Sequence, residues 1–142
     1  MSYLLDTNVV SEWAKPRPNE GVVSWLADVD EDRVYLSVVT LTELRHGIAR
    51  LPLGRRRTRL DQWMREDVVL RFEDRLLPVD TATAEVCGTL LAQTEDRGRP
   101  MGVMDALIAA TAQVYGMTLV THNVADFETT VDAGIVNPWT TG

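Results

Sequence analysis

The sequence has little cysteine, little lysine and no long apolar run. Cys87 is the single cysteine of the 142 residues, so one chain forms neither an internal disulfide nor a cysteine zinc site. No apolar stretch approaches the ~20 residues that a membrane span needs, and no charged-then-apolar leader opens the chain. The sequence therefore predicts a cytoplasmic protein without a membrane segment.

Positive charge is also scarce, because the formal net charge is −7. This balance argues against general electrostatic affinity for nucleic acid. The arginines are nevertheless concentrated, and six of them fall within fifteen residues: Arg45, Arg50, Arg55, Arg56, Arg57 and Arg59. Such a cluster is either a solvated helix face or a local patch that contacts phosphates, and both interpretations stay open.

The length and the 45% apolar content suit one compact domain, residues 1–142. The predicted strands cover residues 3–5, 34–36, 76–79, 118–120 and 134–136. The helices predicted between them cover residues 7–14, 21–27, 40–51, 57–70, 82–97 and 103–115. This alternation predicts an α/β fold with a mainly parallel sheet and helices on both faces, whose ligands bind beyond the carboxyl ends of the strands.

Four acids lie where such a sheet binds ligands, and each has a structural alternative. Asp6 ends the first strand but could simply cap the next helix. Glu43 could complete a capping box with Thr40. Asp105 lies near the start of an apolar helix, where it either balances the helix dipole or needs a partner. Asp126 follows the fourth strand and could be a turn residue.

Taken together, the four acids predict a metal site. Three of them follow strands that should end at one sheet edge, and Asp105 begins a helix able to pack there. Crowded carboxylates repel each other unless a cation binds, and all-oxygen ligands suit Mg²⁺ or Mn²⁺. Such an ion can activate water and neutralise a scissile phosphate, which predicts metal-assisted phosphodiester cleavage.

The segments LLDTNVVSE, LTELRHGIA, VMDALIAATA and VTHNVADF resemble, in that order, the four acidic motifs of the PIN-domain nucleases. Within that family, the opening DTNVVSE and the closing NPW resemble the VapC-type toxins. The resemblance implies a three-layer α/β/α sandwich around a parallel sheet and a Mg²⁺- or Mn²⁺-dependent endoribonuclease. It also implies a homodimer and a VapB-type antitoxin as partner in a toxin–antitoxin pair.

The resemblance assigns Asp6, Glu43 and Asp105 to the first three acidic places, as metal ligands and catalytic groups. Some relatives carry the fourth acid where this chain has Asn123, and others carry it three residues later. Asn123 supplies no negative charge, so Asp126 is the predicted fourth ligand and Asn123 a polar neighbour.

Other polar residues have lesser predicted roles. Thr7 and Thr121 match hydroxyls beside the metal, although either could satisfy local backbone groups instead. His46 and His122 lie next to proposed ligands but lack the spacing of a metal motif, and neither is predicted to be catalytic. The candidate RNA contacts are Arg45, Arg50, Arg55, Arg56 and Arg57.

Two other functions compete with the nuclease. Asp6 could be the nucleophile of an aspartyl phosphotransferase, but the only lysine, Lys15, lies in a proline-flanked turn. Alternatively, the acids of a catalytically silent module could dock an arginine of a basic partner. Such a partner could also occupy an apolar groove, unless these side chains belong to the core: Leu44, Ile48, Leu60, Trp63 and Met64.

Overall fold

The computed structural model describes residues 1–141. Its strands are β1 (Tyr3–Leu5), β2 (Val34–Ser37), β3 (Leu76–Leu77), β4 (Thr118–Val120) and β5 (Ile135–Val136). Its α-helices are α1 (Thr7–Trp13), α2 (Glu20–Asp28), α3 (Val38–Ala49), α4 (Arg55–Trp63), α5 (Thr81–Asp96), α6 (Val103–Tyr115), α7 (Val124–Phe127) and α8 (Pro138–Thr141). A π-helical segment, Met64–Leu70, continues α4, and 3-10 turns precede β2 and β3.

The five strands form one parallel sheet in the order β3-β2-β1-β4-β5. The central strand is β1, and Leu4 lies opposite Tyr35 of β2 on one side and Leu119 of β4 on the other. Leu5 pairs with Val120, so β1 and β4 end at the same level. Residues that follow β1, β2 and β4 therefore meet at one sheet edge.

Helices cover both faces of the sheet, because alternate strand residues point to opposite sides. Leu4 and Leu119 pack in one core with α5 and α6, whereas Leu5 and Val120 pack in a second core with α1, α2 and α3. The predicted three-layer α/β/α sandwich with a parallel sheet is confirmed. Within residues 1–141, no helix is both long and apolar enough to cross a bilayer.

The predicted start of α3 at Thr40, with a capping box between Thr40 and Glu43, was wrong. The helix begins at Val38, and Ser37 caps it by accepting the Val39 N–H at 3.0 Å. Because Ser37 is also the last residue of β2, the strand passes directly into the helix. Thr40 is fully buried inside the first turn.

The other boundaries differ by a few residues. The third strand stops at Leu77, whereas the sequence extended it to residue 79. Pro78 follows and has no N–H to donate to a neighbouring strand. The helix 103–115 and the strand 118–120 have the predicted bounds, and Gly116 ends the helix in the left-handed conformation at φ 63°.

Candidate active site

Asp6 lies immediately beyond β1 and is held in one orientation. Its N–H donates to the Val120 carbonyl at 2.9 Å, which extends the pairing of β1 and β4 by one residue. One carboxylate oxygen accepts the Thr7 N–H at 2.8 Å and caps α1. The other oxygen accepts the Thr121 hydroxyl at 2.8 Å and the Asn8 side-chain amide at 3.2 Å. Capping and ligand binding are therefore compatible roles for this acid.

Glu43 is bound to the first residue of α1. Its Oε1 accepts the Thr7 hydroxyl at 2.6 Å, a length typical of a hydroxyl bound to a carboxylate. The Thr7 oxygen also lies 3.1 Å from the hydroxyl of the buried Thr40. The two hydroxyls that the sequence placed near the metal thus contact carboxylates, Thr7 at Glu43 and Thr121 at Asp6.

Among Asp6, Glu43 and Asp105, only the Asp105 carboxylate receives no hydrogen bond from residues 1–141. Asp105 is partly buried in the first turn of α6. Burial, and after it the nearby carboxylates of Asp6, Glu43 and Asp126, together raise the pKa of Asp105 to about 6. Burial is also the main cause of the raised pKa of Asp6. The ionised site therefore favours a cation.

Asp6, Glu43 and Asp105 line one open cleft of about 500 Å³ at the carboxyl edge of the sheet. The rest of the lining is Thr7, Asn8, Ser11, Glu12, Lys15, His122, Asn123 and Trp139. The sequence prediction that acids following β1 and β2 meet an acid of α6 therefore matches this placement.

The oxygen atoms that line this cleft suit a hard cation as ligands, because they belong to carboxylates, hydroxyls and side-chain amides. Within residues 1–141, no three or more His, Cys, Asp or Glu side chains lie close enough to share one ion. An ion here would thus contact one or two carboxylates and keep water ligands, which is the usual coordination of Mg²⁺ in proteins.

Asp126 lies apart from Asp6 and Glu43. It is exposed on α7 and lines a neighbouring cleft together with Arg97 and Arg99. Asp105 borders both clefts, whereas Asn123 lines the first one with Asp6. The structure thus places Asn123, the predicted polar neighbour, in the cleft with Asp6, Glu43 and Asp105. Asp126, the predicted fourth ligand, shares a cleft with Asp105 but not with Asp6 or Glu43.

The sequence analysis missed the cleft-lining face of α1. Asn8, Ser11 and Glu12 lie on this face of α1, and Lys15 follows just beyond the end of the helix. Their spacing of three and four residues was the available signal. Glu12 is buried, and its Oε1 accepts from the Lys15 Nζ at 2.8 Å. The hydrogen bond from Lys15 is the main cause of the lowered pKa of Glu12. Lys15 does lie in a turn beyond the end of α1, as predicted, but it lines the same cleft as Asp6, so the expectation that no lysine lies near Asp6 was wrong.

The clustered arginines do not converge as the acids do. Arg45 binds Asp61 at 2.5 Å, and Arg57 donates to a backbone carbonyl of the turn before α4. Arg50 and Arg55 are exposed at the surface. These four of the five candidate RNA contacts thus lie outside the acidic cleft and its adjoining groove.

A groove of about 440 Å³ adjoins the acidic cleft, and Glu43 lines both. Its apolar lining includes Leu44, Ile48, Leu51, Leu60 and Trp63. Arg56, Arg59 and Lys15 provide its positive charge. Met64, which the sequence also placed here, is 5% exposed and belongs to the core below, because the π-helical segment turns it inward.

Known proteins resemble this chain over nearly all of its length. The PIN domain model matches residues 3–130. Toxin FitB of Neisseria gonorrhoeae is 36% identical over 136 residues, which cover 96% of this chain and 97% of that protein. VapC ribonuclease Y4jK of Sinorhizobium fredii is 36% identical over 136 residues, which cover 96% of each protein.

A solved structure of FitAB bound to a DNA fragment has the same fold. It superposes with a TM-score of 0.90 at 36% identity, over 99% of this chain and 97% of the matched chain. The parallel sheet, the order of the acidic segments and these similarities agree. The chain therefore belongs to the PIN-domain family.

Proposed function

We propose that the chain is one PIN domain, residues 1–142, that acts as the metal-dependent endoribonuclease toxin of a toxin–antitoxin pair. The observation that carries this proposal is the meeting of Asp6, Glu43 and Asp105 in one cleft, where the Asp105 carboxylate receives no hydrogen bond from the described part of the chain. The relatives named toxin and ribonuclease support the chemistry.

Asp6 and Asp105 are the proposed main ligands of Mg²⁺ or Mn²⁺, and Glu43 is proposed to act through a water molecule of the ion. When bound, the ion supplies an activated water and neutralises charge on the scissile phosphate. Thr121 and Thr7 hold the Asp6 and Glu43 carboxylates in place through their hydroxyls. Asp126 stays the candidate fourth ligand, acting from the opposite side of Asp105, with Asn123 as a polar neighbour.

RNA must approach a chain whose net charge is −7, so local positive charge is needed at the cleft. Of the predicted RNA contacts, Arg56 can provide this charge, because it lines the groove that adjoins the cleft at Glu43. Arg59 lines the same groove, and Arg97 and Arg99 line the cleft beyond Asp105. We expect an RNA strand to cross the acids between these two basic regions.

The groove is also the proposed docking site of the antitoxin. The matched FitAB structure contains a partner of a FitB-type chain, which supports a partner here. Leu60 and Trp63 are partly buried and leave apolar surface for a partner segment, while Arg56 and Arg59 attract acidic side chains. A segment bound there would lie beside Glu43 and block RNA. A homodimer and a cytoplasmic location complete the proposal on family grounds.

The aspartyl phosphotransferase is disfavoured by the environment of Asp6. Both of its oxygens accept hydrogen bonds, and the residue is only 5% exposed, whereas a nucleophile needs an accessible oxygen. Lys15 does lie in the cleft, but its ammonium is bound to Glu12. The silent binding module keeps one supporting feature, since the acidic cleft suits a partner's arginine as well as a metal.

Brief induction of the chain in bacterial cells, followed by mapping of cleavage sites in total RNA, tests the proposal. We expect new cuts within minutes at defined sites, and no cuts with Asp105→Asn at equal protein level. Asp28→Asn, an exposed acid at the end of α2, is the matched control and should cut like the wild type. Absence of cuts by a folded wild type would favour the silent module.

A further inference from the structure

Two aromatic rings stack at the edge of the acidic cleft. The His122 imidazole and the Trp139 indole have centroids 4.3 Å apart and planes inclined by 14°. Both residues line the cleft that contains Asp6, Glu43 and Asp105. The sequence analysis weighed His122 only as an acid, a base or a ligand, so this ring pair has no role in the chemistry described above.

The pair is fixed from both ends. The His122 backbone N–H donates to the Asn8 side-chain carbonyl at 3.2 Å, and the Asn8 side-chain amide donates to Asp6 at 3.2 Å. The Trp139 backbone N–H donates to the Asn137 side-chain carbonyl at 3.0 Å, and the indole packs against the core beside α2. The backbone that carries the His122 ring is therefore linked through Asn8 to the Asp6 carboxylate.

His122 is the outer ring of the pair. Trp139 is partly buried, whereas His122 is exposed, and no residue of 1–141 forms a hydrogen bond with the imidazole nitrogens. An exposed flat ring backed by a packed indole, in a cleft with a lysine ammonium nearby, has the features of a base-stacking surface. Proteins that recognise single-stranded RNA stack unpaired bases on aromatic rings, including histidine.

We propose that the His122–Trp139 pair stacks one base of the RNA next to the scissile phosphate, with the base lying on the imidazole. This inference rests on the proposed ribonuclease function and adds a substrate-positioning residue to it. Stacking tolerates different bases, because every base has a π face, so the pair contributes affinity and placement more than sequence preference.

The competing explanation is that the ring pair only fastens α8 to the turn after β4. The two roles predict the same result for His122→Phe, which keeps a flat ring but removes both nitrogens. A base-stacking surface survives this change, and so does a fastening contact. His122→Ala separates them, because a fastening role lowers thermal stability, whereas a stacking role lowers RNA affinity.

The test uses single-stranded RNA oligonucleotides with one abasic site moved along the strand. We measure KM and kcat for cutting, and RNA affinity by fluorescence anisotropy in an Asp105→Asn background that does not cut. We expect His122→Ala to raise KM and Kd about 5- to 100-fold, and His122→Phe to restore most of the loss. For the wild type, an abasic site at one position of the RNA should raise KM and Kd by a similar factor. For His122→Ala, the same abasic site should cause no further increase. His46→Ala, the other histidine, is the control.

Equal RNA affinity of His122→Ala and wild type, or equal abasic penalties in both, would overturn the inference. A loss of RNA affinity that only accompanies a drop in the melting temperature of His122→Ala would also overturn it. Failure of the proposed function has a different signature. A wild type that binds RNA through His122 without cutting would retain the stacking surface and overturn the nuclease. A wild type that neither binds nor cuts would overturn both.

Discussion

The acids and the arginines of this chain behave in opposite ways. Asp6, Glu43 and Asp105 are separated by up to 99 positions in the numbering yet line one cleft. The six arginines lie within fifteen residues yet face different surroundings. Arg45 is bound to Asp61, while Arg56 lines the groove. Closeness in sequence is therefore a poor guide to closeness in this fold.

The reason is the geometry of the elements that carry them. Parallel strands end at one edge, so residues just beyond β1, β2 and β4 meet whatever their separation along the chain. Neighbouring residues on a helix point in different directions, because each step turns by a fixed angle of about 100°. Topology gathers the acids, and helical rotation spreads the arginines. Substitutions of the acids should therefore have larger effects than substitutions of the arginines.

Loss of either main acid should abolish cleavage. We expect Asp6→Asn and Asp105→Asn each to lower kcat/KM by more than about 100-fold, the upper loss for residues that only support a metal ligand. Single-turnover cutting of an RNA oligonucleotide with Mn²⁺ measures this, with circular dichroism as the check on folding. Asp28→Asn should cut like the wild type, and retained cutting by Asp105→Asn would refute its assignment.

The hydroxyl that orients Asp6 should matter next. Thr121→Val keeps the shape of a fully buried residue but removes the donor to the carboxylate. We expect Mn²⁺ affinity to fall about 10- to 100-fold, as is typical when a ligand loses its supporting contact. Thr118→Val removes a buried hydroxyl at the start of β4, the strand that precedes Thr121. This hydroxyl donates to the Ala133 carbonyl and not to an acid, so the change should leave Mn²⁺ affinity unchanged. Equal losses in both variants would mean a general effect on folding.

The arginines should differ among themselves. We expect the double variant Arg56→Gln with Arg59→Gln to raise KM for RNA about tenfold at low salt and to flatten the salt dependence, because about two phosphate contacts are lost. Arg45→Gln with Arg57→Gln removes the same charge from side chains that bind within the chain, and it should change KM about twofold at most. Similar effects of both pairs would show that the whole cluster binds RNA.

The smallest expected effect is on stability without metal. The native pKa of Asp105, about 6, lies above the usual 3.8, so Asp105 stabilises the fold when protonated, and this contribution is lost as pH rises through 6. After allowance for solvent screening, we expect metal-free Asp105→Asn to be about 1 kcal/mol more stable than wild type at pH 8. Urea unfolding in EDTA measures this.

The stability difference should shrink towards pH 4, where wild-type Asp105 also carries its proton. Saturating Mn²⁺ should reverse the order at pH 8, because the wild type binds the ion and Asp105→Asn does not. A difference that is the same at both pH values would show that repulsion among the carboxylates is not its source.

Much of the fold was predictable from the sequence because local signals agreed with it. The apolar run before Asp6 gave β1, and the helix 103–115 ended at Gly116 as expected. The start of α3 was not predictable in the same way, because Ser37 serves both as the end of β2 and as the helix cap. Two capping patterns overlapped there, and tertiary burial of Thr40 decided between them.

The site was predictable where it depends on strand ends and not where it depends on side-chain partners. The edge position of Asp6 follows from topology, but the pairing of Thr7 with Glu43 joins residues 36 positions apart. Lys15 and Trp139 also line the cleft, although both lie outside the four acidic segments of the sequence. No local pattern in the sequence specifies such contacts.

Calorimetric titration of Mn²⁺ tests the central claim most directly, that the gathered acids form a metal site. Wild type, Asp6→Asn, Asp105→Asn and the control Asp28→Asn are compared under one buffer condition at pH 8. The account predicts binding by the wild type and by Asp28→Asn, and loss of binding in the other two. No binding by the folded wild type, or equal binding by all four proteins, would contradict it.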